Sequence, residues 1–264
     1  MSTRRIIIYP NPAVLAQAVA ARTLLTITDL LAEPGRTRVD IAVTGGTDGN
    51  AVLKAMGESP IAGAVDWRRV HIWWGDERFV PADDNDRNAK QAREALLDAL
   101  VADGLLPESN IHEMPADTRT AQEIASADAE RTDAVLATAA ADYQRELVEQ
   151  LGEDPQLDIA MFGMGPDAHF ASLFPGKQEV LIDEAHVLVA GVRDSPKPPP
   201  LRITLTVPMI ARSHRTWMFT SEERKAEAVS KAFAAPRNPD APSSYAAAAD
   251  ELLWMIDSGA ASRL

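Results

Sequence analysis

The sequence of 264 residues contains no cysteine, few aromatic side chains and fewer basic than acidic residues. The absence of cysteine excludes disulfide bonds, thiolate nucleophiles and metal sites with cysteine ligands. Lysine and arginine number 26 against 39 aspartate and glutamate residues, so the formal net charge is −13. A surface of this sign repels the phosphates of nucleic acids and anionic lipids, so we predict neither nucleic acid nor membrane as a partner. A site for an anionic ligand would have to be a local basic pocket.

Long hydrophobic runs are also scarce. The first apolar run, residues 6–9, is too short for the core of a signal peptide and stops at Pro10, so we interpret it as a buried first strand. No apolar stretch approaches the length of about 18 residues that a membrane span needs. These features, with the absence of cysteine, predict a cytoplasmic protein.

Short runs typical of strands alternate with longer segments of helical periodicity. We predict strands at residues 6–9, 39–44, 70–74, 157–162, 187–192 and 216–220, and helices at residues 13–32, 87–100, 121–151 and 222–233. Residues 252–256 fit either a last strand or part of a helix. The alternation predicts an α/β fold, a Rossmann-like mostly parallel sheet with helices on both faces, in a single domain over residues 1–264.

Polar segments follow several of the predicted strands, at the sheet edge where open parallel sheets bind ligands. Gly45, Gly46 and Thr47 follow the second strand. Glycines let the backbone approach a ligand closely, and the helix that follows offers free N–H groups to an anion. A tight turn with Thr47 or Asp48 as the N-cap explains the same residues, and both interpretations remain open.

A charged segment follows the third strand. Arg78 presents a planar fork of donors that matches phosphate oxygens, and Asp76 or Glu77 can orient a substrate hydroxyl or another side chain. Simple solvation of charges at a strand exit is the alternative. Residues 83–86 resemble a calcium loop in composition but lack its glycine and closing glutamate, so we predict that they cap the following helix.

A third polar segment, residues 163–176, contains Asp167 and His169 after a Gly-Met-Gly turn. Histidine is the usual general base near neutral pH, and a carboxylate two residues away can set its tautomer. A purely structural histidine is the alternative, but the glycines and the position at a strand end favour function. The sequence has no pair of histidines, or of a histidine and a carboxylate, at the spacing typical of a metal site. It also lacks the Gly-x-Ser-x-Gly motif of serine hydrolases.

Two lysines complete the candidates. Lys197 lies in the proline-rich segment 195–200, ahead of Arg202, and a stiff loop holds a cation at low entropic cost. A surface loop of polyproline type that docks a protein is the alternative for this segment. Lys225, near the start of a predicted helix, adds a further cation or is part of the helix surface.

Together these segments resemble the 6-phosphogluconolactonase family. That family belongs to a superfamily with glucosamine-6-phosphate deaminase and ribose-5-phosphate isomerase. The resemblance covers most of the chain in the same order. Residues 195–199 with the Arg-Ile-Thr-Leu-Thr run at 202–206 look like the lactonases, whereas the turn at residues 163–169 is shared across the superfamily.

The resemblance implies hydrolysis of 6-phosphoglucono-δ-lactone to 6-phosphogluconate in the oxidative pentose phosphate pathway, without a metal or organic cofactor. His169 would activate water as the general base with support from Asp167, and Arg78 and Lys197 would hold the phosphate. The other residues that would face the substrate are Gly45, Gly46, Thr47, Asp76, Arg202 and Lys225. The resemblance leaves open a deaminase or isomerase of amino-sugar phosphates and a non-catalytic sugar-phosphate-binding regulator. It does not define the oligomeric state, and a monomer is compatible with it.

Four positions depart from the family pattern. Asp48 and Gly49 stand where the family usually has Thr-Pro, and Phe170 stands where threonine is common. Ala168 replaces the usual glycine between the aspartate and the histidine. If this position requires a positive φ, alanine there costs about 1 kcal/mol.

Overall fold

The computed structural model describes residues 4–264, in which strands form two sheets. A six-stranded sheet is parallel throughout, with the order β1-β9-β8-β5-β2-β3, and a three-stranded antiparallel sheet has the order β4-β7-β6. The strands are β1 (Arg5–Tyr9), β2 (Val39–Val43), β3 (Val70–Trp74), β4 (Asp76–Arg78), β5 (Ile159–Gly163), β6 (Val189–Val192), β7 (Arg202–Leu205), β8 (Arg215–Thr220) and β9 (Glu251–Asp257). The α-helices are α1 (Pro12–Ala32), α2 (Gly46–Glu58), α3 (Asn88–Ala92), α4 (Asp98–Ala102), α5 (Ala121–Ser126), α6 (Ala129–Leu151), α7 (Val207–Arg212) and α8 (Ala226–Ala234).

The predicted α/β fold with a mostly parallel sheet is confirmed. Strands of the large sheet are apolar along their whole length because they lie inside the protein, as β2 shows with every residue buried. The tryptophans of β3, β8 and β9 are all buried in this core. Residues 252–256, for which periodicity allowed two interpretations, belong to strand β9.

Strand β1 lies at an edge of the large sheet and pairs only with β9. Ile6 and Ile8 are 39% and 55% exposed, so the prediction of a buried first strand is wrong. An apolar run predicts a strand, but its neighbours in the sheet decide whether the strand is central or peripheral.

Helix α1 corrects a second prediction. The helix has 21 residues, and an 18-residue window in it has a mean hydropathy of 1.4, so it is long and apolar enough to cross a membrane by length and composition alone. Nine of its residues are nevertheless buried within the protein, where the helix packs against α2 and β9. The core helix of a soluble protein passes the same composition test. The apolar residues of α1 are therefore accounted for by their burial within the protein.

The predicted long helix at residues 121–151 is two helices. Helix α5 begins with a capping box in which Thr120 and Glu123 bond each other's backbone N–H groups, and α6 begins at the N-cap Asp128. Helix α5 thus ends at Ser126, and the cap at Asp128 starts the new helix α6. The predicted helix at residues 87–100 likewise contains a π-helical turn, Arg93–Leu97, between α3 and α4.

The small antiparallel sheet was not predicted. It starts where the large sheet ends, because Gly75 donates its N–H to Val43 and accepts a hydrogen bond from the N–H of Leu205. Strand β4 has three residues and all are charged, so no hydrophobic alternation marks it. Its pairing with β7 aligns Asp76 with Thr204 and Arg78 with Arg202.

The direction in which the chain adds strands reverses between β2 and β5. From β2 the chain continues outward to β3, whereas β5 continues in the opposite direction to β8 and β9. Such a switch point leaves a crevice beyond the carboxyl ends of the two strands. The segments after β2 and β5, which contain Gly45 and Gly165, meet at this crevice.

Candidate active site

A cavity of about 280 Å³ lies at this switch point and brings together segments that are far apart in the sequence. Nine of the ten predicted site residues line it, and Asp167, the tenth, contacts the lining residue His169. The lining residues are Thr44, Gly45, Gly46, Thr47, Asp48, Asp76, Arg78, Asn88, Gly163, Met164, Gly165, Pro166, His169, Ala171, Phe174, Lys197, Pro198, Arg202, Arg224 and Lys225.

His169 and Asp167 form a pair at the wall of the cavity. The Nδ1 atom of His169 lies 2.5 Å from Oδ1 of Asp167. An ionised carboxylate only accepts hydrogen bonds, so Nδ1 carries the proton and Nε2 of the neutral ring carries the lone pair. The ring is 18% exposed, and the ring of Phe174 lies against it with centroids 4.6 Å apart. The geometry therefore leaves one basic nitrogen available to a ligand.

The electrostatic surroundings favour the neutral ring of His169 and the ionised form of Asp167. Burial lowers the pKa of His169, and the hydrogen bond and charge of Asp167 offset this only in part. Burial opposes the ionisation of Asp167, but hydrogen bonds from His169 and Lys197 prevail and lower the pKa of that carboxyl. Near neutral pH the pair is thus a neutral imidazole held by a carboxylate.

The backbone turn that forms this pair is tight. Ala168 has a φ of 63°, so the expectation of a positive φ at this position is confirmed and alanine carries a cost of about 1 kcal/mol there. The carbonyl of Ala168 accepts a hydrogen bond from Ser243, which holds the turn. A Cβ on Gly165 would lie 2.1 Å from Nδ1 of His169, so only glycine leaves room for the pair.

Lys197 reaches the same pair from the proline-rich loop. Its Nζ lies 3.0 Å from Oδ1 of Asp167 and 3.2 Å from Nδ1 of His169. Arg202 holds this loop by donating hydrogen bonds to the carbonyls of Lys197, Pro198 and Pro199. Burial lowers the pKa of Arg202 to about 10, and the side chain remains a cation at neutral pH.

The charged segment after β3 is organised by the fully buried Glu77. Its carboxylate accepts hydrogen bonds from the N–H groups of Arg78, Asn88 and Ala89. Glu77 therefore caps the start of α3. The prediction that residues 83–86 cap this helix is wrong, because Glu77, which is more distant in the sequence, accepts the hydrogen bonds from its first N–H groups. Burial raises the pKa of Glu77, and the charge of Arg87 and these hydrogen bonds oppose the shift.

The Gly45-Gly46 segment begins α2 with Gly45 as the N-cap, without a side-chain cap. Neither Thr47 nor Asp48 caps the helix, so that interpretation is wrong. Asp48 instead binds Lys225 at 2.7 Å and accepts hydrogen bonds from the hydroxyl and N–H of Ser221. The side chains of Asp48 and Lys225 are both largely buried, so Asp48 balances much of the charge that Lys225 brings to the cavity.

Asn88, Arg224 and Ser172 are polar residues at the cavity that the sequence analysis did not name as site residues. Asn88 and Arg224 line it, and Ser172 donates a hydrogen bond of 2.7 Å to Oδ2 of Asp76. Asn88 closely follows Arg78 and Ser172 follows His169, so proximity in the sequence was an available signal for both. Arg224 directly precedes the predicted site residue Lys225, so the same signal was available for it.

Cations predominate in the cavity although the protein as a whole is acidic. The cationic side chains that line it are Arg78, Lys197, Arg202, Arg224 and Lys225. The lining carboxylates are Asp48 and Asp76. The local basic pocket that an anionic ligand requires is therefore present. Within residues 4–264 no group of three or more histidine, aspartate and glutamate side chains is arranged to hold a metal ion.

Comparison with known proteins places the chain in a family. Residues 10–254 match the model of the family described as glucosamine-6-phosphate isomerases/6-phosphogluconolactonase. A 6-phosphogluconolactonase of Streptomyces coelicolor is 37% identical over 99% of this chain and 95% of its own length. The 6-phosphogluconolactonase of Mycobacterium tuberculosis is 38% identical over 97% of each chain.

Solved structures share the fold. A 6-phosphogluconolactonase from Trypanosoma brucei superposes with a TM-score of 0.80 at 23% identity over 100% of both chains. A monomeric glucosamine-6-phosphate deaminase gives a TM-score of 0.72 at 18% identity over 98% of this chain and all of its own. On the family match and the near full-length relatives, the chain belongs to the glucosamine-6-phosphate isomerase/6-phosphogluconolactonase family.

Proposed function

We propose that this protein hydrolyses 6-phosphoglucono-δ-lactone to 6-phosphogluconate, the lactonase step of the oxidative pentose phosphate pathway, with His169 as the general base. The observation that carries the proposal is the His169–Asp167 pair, whose free Nε2 belongs to a ring that lines a cation-rich cavity. The relatives that match almost the whole chain are named 6-phosphogluconolactonase.

The residues perform the chemistry as follows. Nε2 of His169 takes a proton from water as the water oxygen attacks the lactone carbonyl, and Asp167 stabilises the imidazolium that forms. The ester C–O bond then breaks, and the leaving ring oxygen takes the proton back from His169. N–H groups at the start of α2 and the surrounding cations are available to the negative charge that develops on the carbonyl oxygen. Atoms and charge balance without a metal or organic cofactor.

Cations of the cavity anchor the phosphate. Arg78 and Arg224 offer guanidinium groups, which bind phosphate oxygens through paired donors. Arg202 adds its charge and its Nη1 atom, since its Nε and Nη2 hold the proline-rich loop. Lys197 lies beside the proposed base, because its Nζ contacts both Asp167 and His169. Binding of the phosphate at a distance from the carbonyl fixes the reacting end of the substrate. Lys225 contributes less, because Asp48 already neutralises it.

A direct assay tests the function. The purified protein should accelerate loss of 6-phosphoglucono-δ-lactone above its spontaneous hydrolysis, and it should release no ammonia from glucosamine 6-phosphate. Ammonia release without lactone hydrolysis would identify a deaminase. Binding of 6-phosphogluconate with no acceleration of lactone loss would identify a non-catalytic regulator.

Lys197→Ala should raise KM for the phosphorylated lactone by about 10- to 100-fold, because it removes one charge-assisted contact to the phosphate. A smaller change in kcat is expected as well, since Lys197 also contacts the His169–Asp167 pair. Steady-state kinetics measure both values. Lys231→Ala, which removes an exposed lysine of α8, is the matched control. An unchanged KM would exclude Lys197 from the phosphate site.

We propose that the chain is one catalytic domain, because residues of both sheets line the same cavity. We propose a cytoplasmic location, which the absence of cysteine and the sugar-phosphate substrate support.

A further inference from the structure

Residues 86–88, which lead into α3, contact the three residues of strand β4 in reverse order. The backbone carbonyl of Asp86 accepts a hydrogen bond of 2.7 Å from Nη1 of Arg78. Nδ2 of Asn88 donates one of 2.9 Å to the backbone carbonyl of Asp76. The middle residues of the two segments form a buried ion pair. Every residue of the short strand is thus held from the same side.

The ion pair joins Arg87 to Glu77. Their side chains are 2% and 0% exposed, and Nη2 of Arg87 lies 3.7 Å from Oε2 of Glu77. The same nitrogen lies 3.7 Å from Oε2 of Glu113 and donates a hydrogen bond to the carbonyl of Met114, while Nη1 donates one to Pro115. A buried charge is costly unless it is paired. Arg87 therefore bridges strand β4 and the segment that contains Met114.

Glu77 connects this ion pair to the cavity. Its Oε1 accepts hydrogen bonds of 2.7 Å from the N–H groups of both Arg78 and Asn88, and its Oε2 accepts one of 2.8 Å from Ala89. Arg78 lines the cavity, whereas neither Glu77 nor Arg87 does. Any effect of Arg87 on a bound ligand must therefore pass through the residues that this carboxylate holds.

We propose that Arg87 is a positioning residue for phosphate recognition, because it holds the carboxylate of Glu77, which in turn fixes Arg78 in the orientation that binds the substrate phosphate. This inference rests on the proposed function and adds a residue to its phosphate site. Without the cation, Glu77 would be an uncompensated buried charge, and its movement or protonation would loosen its hold on Arg78. A site ordered before the ligand arrives binds at lower entropic cost.

The test separates binding from chemistry. We would measure kcat and KM for 6-phosphoglucono-δ-lactone, and Kd for 6-phosphogluconate by calorimetry, with the wild type, Arg87→Met and Arg87→Lys. Arg87→Met should raise KM and Kd by about 10- to 100-fold and change kcat less, because a displaced Arg78 loses the phosphate. Arg87→Lys keeps the charge beside Glu77 and should recover most of the affinity. A fall in kcat with unchanged KM and Kd would overturn the proposal.

A double-mutant cycle tests the route through Arg78. In an Arg78→Ala background, Arg87→Met should raise Kd by no more than about twofold, because the effects of residues that act through one another are not additive. The full effect of Arg87→Met in that background would show that Arg87 acts independently of Arg78, and it would overturn the proposal. If Arg87→Met does not fold, Glu77→Gln decides. Its amide cannot accept from all three N–H groups, so an unchanged Kd there would overturn the proposal.

Arg36→Met is the matched control. Arg36 also pairs with a largely buried carboxylate, Asp158, and like Arg87 it has a buried Nε without a hydrogen bond, but it does not line the cavity. It should keep the wild-type KM and Kd, whereas a rise equal to that in Arg87→Met would reduce the effect to general destabilisation and overturn the proposal. A wild type that binds 6-phosphogluconate but does not hydrolyse the lactone would overturn the proposed function, and the Kd values would still test Arg87.

Discussion

Replacement of His169 by glutamine should lower kcat for lactone hydrolysis by about 10²- to 10⁴-fold, the usual contribution of a positioned general base. Glutamine is polar and of similar size but cannot take a proton at neutral pH. The ring of His169 is partly open to the cavity, so the thermal unfolding midpoint should change little. Stopped assays of lactone loss, corrected for spontaneous hydrolysis, and a thermal melt measure the two quantities.

The control for this variant lies elsewhere in the chain. His214 also holds a carboxylate through Nδ1, at 2.7 Å from Asp250, but it does not line the cavity. His214→Gln should therefore keep the wild-type rate. A His169→Gln enzyme that hydrolyses the lactone at the wild-type rate would refute the role of the base.

The pH profile of the wild type provides a second readout of the same group. The ring is active when neutral, so kcat/KM should fall as the pH drops through the pKa of His169. Burial lowers that pKa, and the midpoint of this fall should lie below about 6.5, the ordinary value for histidine. His169→Gln should lose this acid limb. A midpoint above the ordinary value would contradict the burial argument.

Asp167→Asn should also lower kcat by about 10²- to 10⁴-fold, with a small effect on KM. An asparagine amide can donate to Nδ1 of His169, which would place the ring proton on Nε2 and remove the base. The variant also loses the ionic partner of Lys197, 3.0 Å from the carboxylate. Steady-state kinetics together with NMR of the histidine ring measure the rate and the tautomer.

The pH dependence of this variant has a defined sign. Asp167 raises the pKa of His169 by its hydrogen bond and charge, against the larger effect of burial. Any residual activity of Asp167→Asn should therefore keep its acid limb at lower pH than the wild type. Asp250→Asn is the matched control and should leave both rate and profile unchanged. A shift of the limb to higher pH would show that the carboxylate does not stabilise the imidazolium.

Much of the His169–Asp167 pair could be predicted because it is local. Asp167 and His169 are two residues apart, and the glycines before them indicate a turn. Ala168 in this turn has a positive φ, which glycine adopts more easily than other residues. The proline-rich loop was likewise recognisable, because proline restricts the backbone wherever it occurs. The parallel strands of the large sheet are largely apolar runs, and such runs predict strands without knowledge of their neighbours, although the exposed β1 shows that burial depends on those neighbours.

Other features depend on residues that are distant in the sequence. Asp48 meets Lys225 across 177 positions, and this contact decided that Asp48 balances a cation instead of capping a helix. Glu77 took the capping role predicted for residues 83–86 because its buried carboxylate reaches the helix start from a neighbouring strand. The three-residue strand β4 has no periodicity of its own and exists through its pairing with β7.

The sequence by itself determined the α/β alternation, the turn that contains His169, the stiff loop of Lys197 and the acidic balance of the whole chain. These properties follow from local backbone preferences, hydrophobic periodicity and composition. The tertiary structure decided that the loop of Lys197 meets Asp167, that Asp48 pairs with Lys225, and that β1 lies at an exposed edge. Such choices depend on which segments desolvate one another when the sheet assembles, and no single segment contains that information.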